Sequence, residues 1–356
     1  MPNKTVSRKA DHVRICLESD VEAGDTGLDC VRFIHNPLPE VDSREIKASS
    51  DVMGRRLSLP IIINAMTGGY EGATEINRVL ATAAQEHGIG MGLGSMRAMV
   101  EDPGMAKTYG VRDAAPDILL LGNIGLPQLL SRDFEPIFGA METIEVDGIA
   151  IHLNALQEAT QPEGETNFAG GIEVIHEFSK QSRWPVVIKE TGAGIPRETA
   201  RNLERAGAEW LDVGGLGGTS FAAVESFRAE NSIERELAKS FSQWGIPTAA
   251  SLVEVRESTK LKLIASGGMR NGIDAAKCIA LGADLAGFAS PVLKAMVRGE
   301  DELDGFISLI SRQFITAMFL SGSRDLNGLR DSGIMITGWL RDWLLDRGTD
   351  ISQFSR

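Results

Sequence analysis

The chain has 356 residues, with 36 Lys and Arg against 49 Asp and Glu, which gives a formal net charge of -13. This acidic balance argues against a nucleic-acid surface built on bulk positive charge. Hydrophobic residues make up 43% and charged residues 24%, so the chain is neither disordered nor collagen-like and can form one large domain or two ordinary ones.

The positions of the cysteines and of the apolar stretches further limit the class of protein. Cys16, Cys30 and Cys278 are odd in number and far apart, so we expect neither a disulfide framework nor a structural zinc site, and we expect a cytoplasmic location. The longest apolar stretch, around Leu59 to Met66, is shorter than the roughly 18 residues of a membrane helix, so no export signal or membrane anchor is expected. The 39 glycines exceed ordinary usage and suggest a binding site lined by glycine.

Residues 1–58 form a predicted N-terminal extension. It contains a helix at Ser7–Ser19 and one or two strands near Ile46–Leu57. From about residue 59 onward, short apolar runs alternate with longer amphipathic segments, which is the pattern of a parallel sheet with helical connections. We count eight such runs, which begin at Leu59, Gly88, Asp117, Asp147, Pro185, Glu209, Leu261 and Asp284.

Eight such units over residues 59–290 predict an α/β fold of the (β/α)8 barrel type, with a doubly wound sheet as the alternative. Helical periodicity supports the connections at Ala73–Glu86, Pro196–Ala206 and Gly272–Leu281. The long connection at about 219–247 is interpreted as a mobile lid over the barrel, or else as an extra surface helix. Residues 291–356 are predicted to be helical to the end and to pack on the barrel.

Each of the eight runs ends in a small or polar cluster, as expected if the C-terminal face of a barrel holds the active site. The seventh and eighth clusters, Ser266–Gly272 and Gly287–Ser290, stand where barrels bind phosphate through backbone N–H groups. Gly267 and Gly268 permit close approach, and Arg270 adds a positive charge. An ordinary turn is the alternative. The glycines of Gly88–Ser95 lack the spacing of a dinucleotide-binding fingerprint.

Lys189 ends the fifth run, so a charged amine in an apolar barrel needs an anionic partner or a ligand. A flavin ring would provide such a partner, and a Schiff-base lysine is the alternative. The fourth cluster holds His152, Asn154, Gln157 and Glu158, a density that indicates contact with a polar ligand. Glu158 is a candidate Mg²⁺ ligand, or else an acid that complements a helix N-terminus.

Near the N-terminus, Arg8, Lys9 and His12 fall on one face of the predicted helix. They form a candidate clamp for an anion, although a basic helix face is also often only solvated. Arg97 adds another cation at the barrel mouth and favours the clamp.

With these residues in view, the chain resembles the type 2 isopentenyl-diphosphate isomerases, an FMN-dependent barrel family, over nearly its whole length. The motifs that carry the resemblance are SRKADH at Ser7–His12, INAMTGG at Ile63–Gly69, GSMR at Gly94–Arg97, GNIG at Gly122–Gly125, IHLNALQE at Ile151–Glu158, IKETG at Ile188–Gly192, GGLGGTS at Gly214–Ser220 and SGGMRNGID at Ser266–Asp274. One departure is Gly214, where the family often has Ser, which removes a possible hydroxyl contact to the flavin.

The resemblance implies roles for individual residues. Those expected to contact FMN or its phosphate are Ala65, Met66, Thr67, Gly68, Ser95, Asn123, Lys189, Thr219, Gly268, Met269, Arg270, Ala289 and Ser290. Those expected to contact the substrate are Arg8, Lys9, His12, Ser95, Met96, Arg97, Asn154 and Gln157. Gln157 is expected against the isoprenoid portion and is assigned with His152 to the catalytic group, and Glu158 is expected to ligate Mg²⁺.

The family interconverts isopentenyl diphosphate and dimethylallyl diphosphate by a 1,3-allylic proton shift that needs reduced FMN, with NADPH or NADH as the reductant. The resemblance also implies a homotetramer or homo-octamer. The cofactor is expected to carry the proton transfer while the protein orients the substrate and excludes water, because Gln157 is not a general base.

Three alternatives compete with this function. A 2-hydroxy-acid oxidase needs a His base after the seventh or eighth strand, and the five His of this chain lie elsewhere, at 12, 35, 87, 152 and 176. An inosinate-dehydrogenase-like enzyme needs a nucleophilic Cys in a barrel loop, whereas Cys278 falls within a predicted helix. A non-catalytic flavin or phosphate binder is the third, and the presence of Gln157, Glu158, Arg8 and Lys9 argues against it.

Overall fold

The computed structural model describes residues 4–354, with side chains described from Lys9 onward. The strands, in chain order, are β1 (Val31–Phe33), β2 (Ser50–Val52), β3 (Arg55–Leu57), β4 (Ile61–Ile63), β5 (Gly90–Gly92), β6 (Leu120–Gly125), β7 (Gly148–Leu153), β8 (Val186–Glu190), β9 (Trp210–Asp212), β10 (Lys262–Ser266), β11 (Leu285–Phe288) and β12 (Ile334–Ile336). The helices are α1 (Lys4–Glu18), α2 (Ala73–His87), α3 (Arg97–Glu101), α4 (Leu126–Leu129), α5 (Glu135–Thr143), α6 (Ala155–Thr160), α7 (Gly171–Gln181), α8 (Arg197–Arg205), α9 (Phe221–Arg228), α10 (Ser232–Ser240), α11 (Thr248–Ser258), α12 (Gly272–Ala280), α13 (Ser290–Arg298), α14 (Glu300–Leu320), α15 (Leu326–Arg330) and α16 (Gly338–Asp346).

Strands β4 to β11 form a closed parallel barrel, in which each strand pairs with the next one along the chain and β11 closes the ring onto β4. Each of the eight apolar runs supplies one strand. The barrel prediction is therefore confirmed, and the doubly wound sheet is excluded. Closure leaves no exposed strand edge and brings the C-terminal ends of all eight strands to one face.

The barrel strands bury both faces, which explains why they read as continuous apolar runs. Alternate residues face the surrounding helices, as Ile61 and Ile63 do, whereas Ile62 faces the barrel interior. The antiparallel hairpin of β2 and β3 closes the N-terminal end of the barrel. The interior cluster consists of Val52, Leu57, Ile62, Leu119, Leu121, Ala150, Val187, Trp210, Ile264 and Leu285.

The predicted N-terminal helix is α1, and the predicted strands near residues 46–57 are β2 and β3. The three helices predicted from periodicity are α2, α8 and α12, each within two residues of the expected bounds. The connection at 219–247 contains two helices, α9 and α10, which pack on one another, and α9 also packs on α1 and α6. The mobile lid remains a prediction.

The expectation that residues 291–356 are helical to the end is wrong at one point. Strand β12 interrupts the helices and pairs antiparallel with β1, so that Val31 lies opposite Ile336 and Phe33 opposite Ile334. Ile334 and Ile336 are buried, whereas Met335 between them is exposed. The physical reason is this alternation, which buries two side chains in the hydrophobic core, while the pairing with β1 holds the C-terminal segment to the N-terminal extension.

Helix α14 is, among the residues that the structure describes, the one helix long and apolar enough to cross a membrane by length and composition. Its buried side chains fall at helical spacing on one face, and this face packs on α12 and α13. They are Leu303, Ile307, Ile310, Phe314 and Met318. One-sided burial of this kind is what packing of a helix onto the barrel requires.

Candidate active site

A cavity of about 270 Å³ lies at the C-terminal ends of the barrel strands and is lined from every one of the eight. Helix α1 covers one side of it. The cavity brings together Lys9, His12, Ala65, Met66, Thr67, Gly68, Ser95, Arg97, Asn123, His152, Asn154, Gln157, Glu158, Lys189, Thr219, Gly268, Met269, Arg270, Ala289 and Ser290, all of them residues predicted from the sequence.

Two predicted site residues are not among those that line it. The side chain of Arg8 lies outside the described residues. The side chain of Met96 is fully buried in the hydrophobic core, and its main-chain N–H donates to the carbonyl of Asn123. A substrate contact from Met96 would therefore come from its main chain, because a methionine after β5 fills the space beside Gly122.

The loop after β10 and the start of α13 form the predicted phosphate site. Gly267 and Gly268 have φ values of 109° and 73°, a region that favours glycine. A Cβ atom on Gly267 would lie 2.1 Å from the carbonyl oxygen of Gly215, so the two loops pack main chain against main chain. Ala289 caps α13 without a side-chain hydrogen bond, which leaves the N–H groups of Ser290 and Val292 for a ligand, whereas Pro291 between them has no N–H.

Arg270, expected beside this phosphate, is tied to the N-terminal segment. Its guanidinium donates to Glu22 and to the carbonyl of Met269, and Lys294 of α13 also pairs with Glu22. Burial opposes ionisation of Glu22, but its hydrogen bonds to Arg270 and Lys294 hold its pKa below the ordinary value. The positive charge at this end of the cavity is therefore partly balanced by a carboxylate.

Lys189 has an anionic partner within the chain. Its Nζ lies 3.0 Å from Oδ2 of Asp212, which ends the neighbouring strand β9 and is 1% exposed. The expectation that a flavin provides this partner is incomplete, because Asp212 already compensates the buried amine. The amine of Lys189 is held by this ion pair, which disfavours the Schiff-base alternative.

The polar cluster after β7 is held by internal hydrogen bonds. Asn154 donates from Nδ2 to Glu158 Oε1 at 2.7 Å, and the main-chain N–H of Glu165 donates to Glu158 Oε2 at 2.7 Å. His152 Nδ1 lies 2.7 Å from Asn123 Oδ1, which joins the ends of β7 and β6. These contacts orient the side chains of the cluster before any ligand arrives.

Helix α1 places Lys9 and His12 over the cavity. Lys9 Nζ donates to the carbonyl of Ser95 at 2.7 Å and to the hydroxyl of Tyr109 at 3.1 Å. His12 Nε2 lies 2.8 Å from Glu225 Oε1 on α9, and Arg228 also pairs with Glu225. Burial opposes ionisation of Glu225, but the hydrogen bonds and charges of His12 and Arg228 hold its pKa below the ordinary value.

Arg97 is also paired within the chain, with Glu101 at 2.7 Å and with Glu165 at 3.2 Å. The carboxylates of Glu101 and Glu165 raise the pKa of Arg97 despite its partial burial, which by itself lowers that pKa. The members of the predicted anion clamp whose side chains are described, Lys9, His12 and Arg97, therefore already have oxygen partners.

The lining of the cavity suits a ligand that carries a phosphate and hydrogen-bonding ring atoms, as FMN does. Within the part of the chain that the structure describes, Thr67 Oγ1 and Asn154 Oδ1 are buried without a hydrogen-bond partner. Both residues line the cavity, and such orphaned polar atoms are costly unless a ligand or water satisfies them. Together with the amides of the phosphate site, they supply what a phosphorylated flavin needs.

Comparison with known proteins gives the family. A relative from Pyrococcus abyssi named "Isopentenyl-diphosphate delta-isomerase" is 45% identical over 368 aligned positions, covering 100% of this chain and 99% of that protein. One of the same name from Methanoregula boonei is 46% identical and covers 96% and 97% of the two chains. This chain belongs to the isopentenyl-diphosphate delta-isomerase family. It is an isomerase with a flavin-binding barrel, since the FMN-dependent dehydrogenase family model matches residues 151–336.

Similarity to solved structures supports the fold and nothing beyond it. A mandelate oxidase variant superposes with a TM-score of 0.63 at 19% identity, covering 93% of this chain and 99% of that one. The described histidines of the cavity are His12, on α1, and His152, at the end of β7. The position that the oxidase alternative requires, after β10 or β11, holds none.

Sequence reasoning missed the partners of the delta-isomerase site. Asp212, Asn64 and Glu225 are buried, and Tyr109 is 0% exposed beneath Lys9. Asp212 could have been identified from the sequence, because it is a charged residue at the end of an apolar run. Tyr109 lies in the connection between β5 and β6 and could not.

Proposed function

We propose that this isomerase interconverts isopentenyl diphosphate and dimethylallyl diphosphate by a 1,3-allylic proton shift, with reduced FMN and Mg²⁺ as cofactors and NADPH or NADH as the reductant. The observation that carries the proposal is a single cavity that joins a phosphate loop at β10 and β11 to a second, cationic group of residues on α1 and α3. The printed names of the relatives supply the substrate class.

The second group of residues would hold the substrate diphosphate. Lys9 and His12 reach the cavity from α1, and Arg97 reaches it from the start of α3. Arg97 is 27% exposed at its side chain, so it can exchange a carboxylate partner for phosphate oxygens, which a guanidinium binds in a fixed fork geometry. Lys9 is fixed over the cavity by Ser95 and Tyr109.

Glu158 would hold Mg²⁺ between the protein and this diphosphate. Each of its oxygens accepts one hydrogen bond, from Asn154 and from Glu165, which leaves a lone pair on each for a metal. Among the described residues, no group of three His, Cys, Asp or Glu side chains forms a metal site. A lone carboxylate suits Mg²⁺, which commonly keeps several waters and takes substrate phosphate oxygens.

The residues after β7 would position the isoprenoid portion. Gln157 lines the cavity, and its amide does not accept a proton at neutral pH, so it orients the substrate. His152 is oriented by Asn123. When bound in its reduced form, FMN supplies the acid and base chemistry of the proton shift. The protein's part is to fix both reactants and to exclude water.

The proposal is tested by anaerobic incubation of the purified chain with FMN, Mg²⁺, NADPH and isopentenyl diphosphate, with a parallel sample that lacks the reductant. We expect dimethylallyl diphosphate to form only when the flavin is reduced. Bound, reduced FMN without any conversion would refute the proposed activity. Lactate and mandelate serve as matched substrates for the oxidase alternative, and oxidation of either would support it.

The proposal also includes a cytoplasmic location and a homotetramer or homo-octamer. Cys16, Cys30 and Cys278 are free thiols, which supports a reducing compartment. Sedimentation equilibrium of the FMN-bound chain tests the assembly, and a monomer would contradict it.

A further inference from the structure

Asp212 is a buried carboxylate with four polar partners at the C-terminal end of the barrel. Its Oδ1 accepts from Ser266 Oγ at 2.5 Å and from the main-chain N–H of Gly214 at 3.2 Å. Its Oδ2 accepts from Asn64 Nδ2 at 3.0 Å and pairs with Lys189 Nζ at 3.0 Å. These donors follow or end β4, β8, β9 and β10, so one side chain joins strands from across the barrel.

All four donors line the cavity, and Asp212 itself does not. Both of its oxygens are fully engaged, so it is not placed to contact a ligand directly. Asp212 therefore acts on the site in two ways: it holds these donors in place, and its charge offsets the charge of Lys189. The most consequential of these donors is Lys189, because it carries the positive charge at the end of β8.

We propose that Asp212 is a positioning residue that fixes Lys189 and sets how much positive charge Lys189 presents to the bound FMN. This inference rests on the FMN assignment within the proposed function. Lys189 and Asp212 are directly paired positions on neighbouring strands, so the strand register holds the ion pair in place. The pair is buried, with side-chain exposures of 11% and 1%, and charge interactions are weakly screened there.

Removal of the carboxylate charge should change the redox equilibrium of the flavin. Reduced FMN is more electron-rich than oxidised FMN, so an uncompensated ammonium nearby favours the reduced form. For Asp212→Asn we expect at least a tenfold shift of the equilibrium toward reduced FMN, which corresponds to a rise of about 30 mV for a two-electron couple. Lys189→Met removes the opposite charge and should shift the midpoint potential downward.

The experiment measures the FMN midpoint potential of four proteins by equilibration with a reference dye: the unsubstituted holoenzyme, Asp212→Asn, Lys189→Met and the double variant. Asp147→Asn is the matched control. Asp147 is also a partly buried carboxylate paired with two arginines, Arg55 and Arg112, but it lies at the N-terminal end of β7. Its loss should lower stability and leave the potential unchanged.

We expect opposite shifts in the two single variants and a potential near the unsubstituted value in the double variant. An unchanged potential in Asp212→Asn would overturn the inference and leave the proposed activity standing. If Asp212→Asn does not fold, the double variant decides, because it contains no unpaired charge. A double variant with the potential of Lys189→Met would show that the charge of Asp212 does not reach the flavin, and this result would overturn the inference. An unsubstituted chain that binds no FMN would overturn the cofactor assignment as well.

Discussion

The role of the loop after β10 in binding the phosphate of FMN can be tested by adding a single methyl group at Gly218. This residue lies beside the loop after β10, and a Cβ atom there would sit 2.5 Å from the main-chain nitrogen of Gly268. The backbone of Gly218 is not in the left-handed region, so Ala is compatible with its local conformation. Gly218→Ala therefore perturbs the packing between the two loops without adding backbone strain.

The expected loss of FMN affinity follows from the close approach of Gly218 to Gly268. Separation of two main-chain segments to admit a methyl group costs about 1–3 kcal/mol. If this cost falls on the FMN-binding arrangement of the loops, the dissociation constant of FMN should rise roughly 5- to 150-fold. Titration of the apoprotein with FMN, followed by quenching of flavin fluorescence, measures this constant directly. Thermal unfolding of the apoprotein reports any cost to the fold itself.

Gly305→Ala is the control, because it adds the same methyl group to α14 where nothing lies within 4 Å. Ala is the better helix former, so this variant should be stabilised by roughly 0.5–1 kcal/mol and should bind FMN normally. If Gly218→Ala binds FMN within twofold of the unsubstituted chain, the loop after β10 does not close on the phosphate as inferred.

Four further substitutions test single groups. Gln157→Asn should lower turnover roughly 10²-fold and leave FMN bound, because the shorter side chain no longer reaches the isoprenoid portion; near-normal kinetics would remove that role. Glu158→Gln should raise the Mg²⁺ concentration for half-maximal activity by at least about tenfold, and an unchanged requirement would place the metal elsewhere. Lys189→Ala should weaken FMN binding by about 1.5–3 kcal/mol, measured by apoprotein titration, and unchanged affinity would contradict its placement. Burial raises the pKa of Glu190 from 4.5 to about 7, although the N–H groups of residues 191–193 donate to it. Between pH 4.5 and 7 the folded chain binds one proton more than the unfolded chain, so this group lowers the free energy of unfolding by about 1.4 kcal/mol for each unit of rising pH. Urea unfolding of Glu190→Gln should show a smaller decrease of that free energy with pH. A decrease identical to that of the unsubstituted chain would refute the raised pKa.

The barrel was predictable because each of its strands is a local pattern. A run such as that from Leu59 is apolar on both faces and ends in small residues, and eight repeats of this unit have few other ways to bury their surface. Strand β12 was not predictable in the same way. Its three residues, Ile334–Ile336, become a strand only through β1, about 300 positions away in the chain. Nothing local distinguishes such a segment from the helices around it.

Gly214 is the position at which this chain departs from the Ser that the family often has. A side-chain hydroxyl is missing at this position, and the main-chain N–H of Gly214 donates to Asp212. Its φ is 45°, and a Cβ atom there would lie 2.2 Å from the carbonyl oxygen of Glu190. In this chain the main chain of the neighbouring strand occupies the space of a side chain, which the sequence did not reveal.

The residues of the site were predictable from where they follow strands, but their counter-charges were not. Three residues of the predicted site each have a carboxylate partner that was not foreseen: Lys189 pairs with Asp212, His12 with Glu225, and Arg270 with Glu22. The proposed binding of two phosphorylated ligands by a chain with a net charge of -13 therefore does not need a surplus of positive charge at the cavity. The ion pairs offset the cost of burying the basic groups, and in the proposed function ligand oxygens would share or displace the carboxylates. Ligand affinity at such a site depends more on how well the ligand oxygens replace the carboxylates than on the net charge of the chain. The paired residues are therefore the most informative positions to substitute.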